Sequence, residues 1–260
     1  MTVSMVITLF LIGFVGSFIS GLVGIGGSII KYPMLLYIPP IIGVAAYTAH
    51  EVSGISAIQV FFATISGVLA LRKENVINYE LVGYMGVAII IGSFGGGFGG
   101  KFLSGDTINF VYAILATIAA IMMFVPNKGL DDVPLEKVTF NRTLAVVSAL
   151  IVGIASGIVG AAGAFILVPI MLLILKIPTR MTIASSLAIT FISSIGATAG
   201  KVLAGDVLFW PSVIMVIASI LAAPVGAKLS AKVNTKILRM ILSVLIVASA
   251  IKIWTDILFG

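Results

Sequence analysis

The chain contains no cysteine, one histidine and very few charges. Without cysteine there is no disulfide, no thiolate metal site and no thiol nucleophile. A single imidazole, His50, argues against a haem- or metal-binding protein, which needs several ligand side chains. No metal site and no cofactor is therefore expected. The 15 Lys and Arg and 9 Asp and Glu make up 9% of 260 residues, against roughly 25% in an average soluble domain. A Gly-Lys-Ser/Thr phosphate loop is also missing, so ATP is not expected to drive the protein directly.

What fills the chain instead is apolar: 60% hydrophobic residues and a mean hydropathy of +1.28. A soluble domain of this size exposes too much area to hide that surface. The composition excludes a soluble globular enzyme, a disordered chain and a nucleic-acid binder. It leaves an all-α polytopic protein set in a lipid bilayer, with about 20 apolar residues per span. The net charge of +6 comes from scattered basic residues, which in a membrane protein report orientation. The first residues, MTVSMVITLF, carry no basic region and read as a retained first helix, not a cleaved signal.

Apolar runs cover Val3–Val23, Ser28–Ile38, Val44–Leu71, Tyr79–Gly100 and Thr107–Val125. After a polar stretch they resume at Thr143–Val159, Ala164–Leu175, Thr182–Ala204, Val207–Ala227 and Thr235–Phe259. Most are too long for barrel strands. The order of long and short runs repeats. Ser20-Gly-Leu-Val-Gly-Ile-Gly-Gly27 aligns with Ser156-Gly-Ile-Val-Gly-Ala-Ala-Gly163, and Pro33 aligns with Pro169. With small gaps, Gly67 falls on Gly200 and Gly99 on Gly226. Such repeats decide the architecture of many transporters. The expected divisions are an N-terminal repeat over 1–126, a cytoplasmic linker over 127–142 and a C-terminal repeat over 143–260.

Loop charge decides whether the two short runs count as crossings. If they count and the N-terminus is outside, eleven basic residues fall inside: Arg72, Lys73, Lys128, Lys137, Arg142, Lys176, Arg180, Lys228, Lys232, Lys236 and Arg239. Lys101, Lys201 and Lys252 fall outside. If they do not count, the basic residues split evenly. The excess of cytoplasmic Lys and Arg in membrane proteins favours the first count. It predicts two inverted-topology repeats of five helical segments each, two of the ten being short, with both termini outside. At 1.5 Å per residue the short runs reach only about 18 Å, so they are full spans extended by their flanks or half-helices meeting near the midplane.

The paired glycine clusters carry the chemistry. Glycine lets the backbone leave helical geometry and frees N–H groups at the next helix start, where an anion is favoured. The candidate cradle is Gly24, Gly26, Gly27 and Ser28 facing Gly160 and Gly163. Close packing through small residues is the competing reading, and it is preferred for Gly95-Gly96-Gly97. Lys31 lies one turn into the first short helix, opposite Leu167 in the repeat. It is either a cation for an anionic substrate or a lysine reaching the inner surface. Ser53, Ser185, Ser186 and Thr190, with Thr48, Ser56, Gln59, Ser193 and Ser194, offer hydrogen bonds to an oxyanion, or bond their own helices. His50 and Glu51 are candidates for proton coupling, although a straight helix puts both at the outer interface.

The stretch Gly21-Leu-Val-Gly-Ile-Gly-Gly-Ser-Ile-Ile-Lys-Tyr-Pro33, with its echo from Gly157 to Pro169, resembles the TauE/SafE family of sulfite and organosulfonate exporters. The resemblance covers nearly the whole chain. It implies a carrier of the prokaryotic cytoplasmic membrane for small sulfur-containing anions such as sulfite or sulfoacetate. A related branch takes up thiosulfate through cysteines, which this chain lacks. The second motif has Ala161-Ala162 where the first has Ile25-Gly26, so unequal halves are expected. The expected function is secondary transport, an export by alternating access, with proton coupling left open. A passive anion channel and an uptake carrier for a small oxyanion stand as alternatives. An intramembrane enzyme is disfavoured by the lack of paired acids. The expected partners are a small anion and the bilayer, with no nucleic acid; a homodimer is left open.

Overall fold

Glycine, proline and asparagine punctuate the apolar runs, and helices fill the space between them. The computed structural model describes residues 2–23, 28–71, 76–123, 138–161, 163–230 and 232–259. Ten α-helices follow in order among them: α1 Val3–Val23, α2 Ser28–Ile41, α3 Ala49–Leu71, α4 Tyr79–Gly99, α5 Gly105–Met123, α6 Arg142–Val159, α7 Ala164–Pro169, α8 Thr179–Ala204, α9 Phe209–Ser230 and α10 Thr235–Phe259. No strand occurs among the described residues. Eight helices, all but α2 and α7, are long and apolar enough to cross a membrane. Large apolar side chains such as Val87, Ile91, Ile151, Leu221 and Val244 point outward, as lipid-facing residues do. The expected linker lies mostly outside the described residues.

Local chemistry explains the boundaries. Asn78 and Asn141 cap α4 and α6, each side chain accepting a backbone N–H three residues on. α3 starts at Ala49, later than the apolar run suggests, because Thr48 and Glu51 form a capping box. The Thr48 N–H donates to the Glu51 carboxylate at 2.8 Å, and the Glu51 N–H donates to the Thr48 hydroxyl at 3.2 Å. α2 runs past Pro39-Pro40 to Ile41. Those prolines lack an N–H, but their carbonyls still accept from Val44 and Gly43, so the last turn closes. α7 is shorter than its run. Pro169 cannot donate, and the chain continues as a π turn over Ile170–Ile174.

Small residues let the long helices touch backbone to backbone. On α1, Gly13, Ser17 and Gly21 meet Met215 and Ala218, Ser219, and Ala223 and Ala227 of α9 in that order, so the two helices run parallel. α4 meets α6 in the same way. Gly92 and Gly96 press on Leu150 and Ile154, and Gly157 presses on Ser93 and Gly97. α4 also runs beside α8, with Gly97 against Ala197 and Gly200. α3 runs beside α9, from Gly54 at Asp206 to Gly67 near Ala227. The Gly95–Gly97 run is thus partly a packing face. At the centre α3 crosses α8, marked by the rings of Phe61 and Phe191 at 5.5 Å.

Candidate functional site

The first glycine motif falls largely outside the described residues: Gly24, Gly26 and Gly27 are not described, and of Ser28 only its place at the start of α2 is. The second motif is described. Gly160 ends α6 at φ +72° and Gly163 precedes α7 at φ +74°, the left-handed region that other residues enter at a cost. A β-carbon on Gly160 would collide with the Ser53 carbonyl of α3. One on Gly163 would lie 2.7 Å from Val152 and 2.9 Å from the Ser156 hydroxyl. Both glycines are therefore pressed against protein, and Gly160 joins the second motif to α3.

Lys31 does not reach the surface. Its side chain is fully buried, its alkyl stem lies over Gly16 of α1, and its ammonium has no hydrogen-bond partner. The same stretch of α1 receives Gln59 from α3. The Gln59 amide donates to the Gly13 carbonyl at 3.4 Å and to the Ser17 hydroxyl at 3.1 Å. Ser17 in turn donates to Ser219 of α9 at 2.8 Å. The Gln59 carbonyl and the Ser20 and Ser56 hydroxyls are buried and unpartnered. Buried polar atoms are normally hydrogen-bonded. Lys31 from α2, Gln59 from α3 and the serines of α1 thus form a polar seam inside an apolar bundle. Ser17 and Ser219 escaped the sequence reading, since single serines in helices are common.

The serines and threonines of α8 divide. Ser185 accepts from the Asn78 backbone N–H at 2.9 Å, tying α8 to the start of α4. Ser186 donates to the Ile183 carbonyl of its own helix. Thr190 and Ser193 keep buried, unpartnered hydroxyls. On α3, Ser53 donates to the His50 carbonyl at 2.7 Å.

Lys201 departs from its expected place on the outer rim. It sits in the last turn of α8, fully buried, and its ammonium donates to the Asp206 carboxylate at 3.0 Å. The chain reverses at the left-handed Gly205 just after α8, which brings Asp206 back to the Lys201 ammonium. Asp206 also lies 3.7 Å from the His50 ring. Glu51, next to His50, is held in the capping box. Two clefts on the membrane-facing surface are apolar and separate from these groups. One, of about 680 Å³ between α4 and α6, is lined by Tyr84, Val87, Ile91 and Leu150 among others; a smaller one lies between α3 and α9. No cluster of metal-ligating side chains occurs among the described residues.

Comparison with known proteins adds the family. The model of the family described as sulfite exporter TauE/SafE matches residues 9–253. The probable membrane transporter protein YunE of Bacillus subtilis is 23% identical over 220 residues, covering 77% of this chain and 80% of that one. A probable membrane transporter protein of Xylella fastidiosa is 26% identical over 185 residues, 71% of this chain and 69% of its own length. One from Methanocaldococcus jannaschii is 25% identical over 189 residues, with 72% and 69% covered. No solved structure matches the chain. With that match over nearly its whole length, and eight helices able to span a bilayer, the chain belongs to the TauE/SafE family and is a multi-pass membrane transporter.

Proposed function

We propose that the protein is a secondary transporter that exports a small sulfur-containing anion, such as sulfite or a C2 sulfonate, across a prokaryotic cytoplasmic membrane. The observation that carries this reading is Lys31. An ammonium buried without a partner costs several kcal/mol and marks a functional position in a membrane protein. A dianionic or monoanionic oxyanion would repair that imbalance. Gln59 and the unpartnered serine hydroxyls supply the neutral hydrogen bonds that orient sulfonate or sulfite oxygens. The site proposed here lies where α2 and α3 meet Gly13–Ser17 of α1.

Alternating access would come from one inverted half moving against the other. The packing supports inversion. α1 runs parallel to α9, and the start of α3 meets the end of α8. In a chain crossing a membrane back and forth, both conditions hold together only if α2 and α7 each return it to the opposite side. Each half then has an odd number of crossings, which turns the halves over. α2, at 14 residues, is only about 21 Å long and would need its flanks to complete the passage. The loop charges orient both termini outward, which an alkaline phosphatase fusion at the C-terminus checks by its activity outside the cell.

Purified protein in liposomes tests the function. Vesicles loaded with unlabelled sulfoacetate should accumulate labelled sulfoacetate by counterflow, and sulfite should compete. Unitary currents without counterflow would replace the carrier by an anion channel. A thermal-shift panel of sulfite, sulfoacetate, taurine, thiosulfate, sulfate and acetate ranks the ligands, since a bound anion raises Tm by mass action.

A further inference from the structure

The reading above leaves His50, Asp206 and Lys201 without a role. They come from the start of α3, the loop after α8 and the last turn of α8, and they meet at one end of the bundle. Exposure falls along the row: 28% for His50, 11% for Asp206 and 0% for Lys201. The row therefore leads from water at one end to a buried ammonium at the other.

The hydrogen bonds fix what each nitrogen and oxygen can do. His50 Nε2 lies 3.1 Å from the Leu103 backbone carbonyl. A carbonyl only accepts, so Nε2 carries the hydrogen and donates. In the neutral ring the lone pair is then on Nδ1, which faces Asp206 Oδ1 at 3.7 Å. The other carboxylate oxygen, Oδ2, accepts from Lys201 at 3.0 Å. Two lone pairs thus face each other, with Lys201 engaged on the far side. One proton between Nδ1 and Oδ1 turns that opposition into a hydrogen bond.

We propose that the gap between His50 Nδ1 and Asp206 Oδ1 is a proton-binding site that couples proton movement to anion transport, a role that rests on the carrier reading above. The proton arrives through the partly exposed imidazole. On binding, it adds one positive charge to the row and draws Asp206 towards His50 and away from Lys201. The other ionisable groups at this end are otherwise engaged or turned to water. Glu51 is held by Thr48, Lys101 lies over the rings of Phe98 and Phe102, and Asp106 is exposed. Burial and the Glu51 carboxylate push the Tyr47 phenol up, so it stays neutral.

The same few residues of α3 connect this row to the glycine turns. Gly54 packs on the Asp206 carbonyl, and the Ser53 carbonyl packs on Gly160. A β-carbon at Gly100 would lie 3.1 Å from the Lys201 ammonium and 3.4 Å from the Ile158 carbonyl near the end of α6. The row thus connects by packed contacts to Ile158 and Gly160 of the second motif.

The test uses full-length protein in liposomes containing a pH-sensitive dye, with sulfoacetate as probe. That anion is fully ionised at neutral pH, so any proton moved with it is moved by the protein. Wild type should show counterflow and, when a sulfoacetate gradient drives net flux, a pH change that accompanies that flux. In His50→Gln, which leaves the Lys201–Asp206 pair intact, protons moved per sulfoacetate carried in net flux should fall to the level of empty vesicles. The paired variant Lys201→Met with Asp206→Asn, which strands no buried charge, should lose the same signal. A pH change that persists in both overturns the proposal, as does net wild-type sulfoacetate flux with no pH change. Absence of wild-type counterflow overturns the carrier reading itself, so the two failures are told apart.

Discussion

The two short helices occupy matching positions of the repeat but differ in what they bring to the interior. α2 carries Lys31 and α7 carries Leu167, and both side chains are fully buried. Around them the packing is reciprocal: α1 lies on α9 as α6 lies on α4, through small residues, with Gly21 and Gly157 at equivalent positions. The scaffold is doubled, whereas the charge is not. On the transport reading proposed above, the doubled scaffold would serve motion and the unpaired charge would serve recognition of one small anion.

The most severe way to break this comparison is to remove the charge. Lys31→Met should weaken sulfoacetate binding by about 1.5–3 kcal/mol, the worth of a hydrogen bond to a charged group, or roughly tenfold to a hundredfold in apparent affinity. The concentration dependence of counterflow reads it. The ligand-free protein should melt at a higher temperature, because a buried unpartnered ammonium is gone. Loss of stability together with unchanged affinity would make Lys31 a packing residue. Moving the charge sharpens the point: Leu167→Lys added to Lys31→Met should not restore affinity. α7 is six residues followed by a π turn and does not place residue 167 beside Gln59 and Gly16. Restored affinity would make the halves equivalent.

A smaller effect is expected at the joint between the second motif and α3. Gly160→Ala puts a β-carbon into the Ser53 carbonyl and forces a left-handed φ on alanine. The conformation alone costs about 1–2 kcal/mol, and Tm in detergent should fall. Exchange should slow if this contact moves during transport. Gly43→Ala is the control. Gly43 also has a left-handed φ of +69°, but its β-carbon would meet nothing within 4 Å, so only the conformational cost should appear.

The apolar runs delimit the helices closely wherever a polar residue stops them. Val3–Val23 and Thr235–Phe259 need no adjustment. The start of α3 needed more than hydropathy, because Val44 to Ala46 are apolar but precede the capping box. The T-x-x-E pattern at Thr48–Glu51 is readable in the chain and marks the true start. Lys31 stood out as a charge no loop could hold. Lys201 did not, because loop counting treats any lysine near a helix end as a rim residue. Its pairing with Asp206 depends on the chain reversal at Gly205. The approach of His50 to Asp206 joins residues far apart in the chain, and no local pattern encodes it.

The smallest effect belongs to Glu51, and it separates two starts that the repeat makes equivalent. α3 begins with a capping box, while α8 begins after Pro178 with no side-chain cap. Glu51→Gln keeps an oxygen that can accept from the Thr48 N–H, and glutamine serves at this position of a capping box. Only the negative charge at the helix N-terminus is lost, worth about 0.3–1 kcal/mol. Tm should fall slightly, and the sulfoacetate-driven pH change should persist. A proton relay through Glu51 predicts the opposite: glutamine cannot take up a proton at neutral pH, and the pH change would vanish while Tm held. The two starts differ for a reason consistent with the first outcome. α3 is the helix whose first turn must hold His50 towards Asp206 and Ser53 against Gly160, and a capped turn holds such positions better than a frayed one.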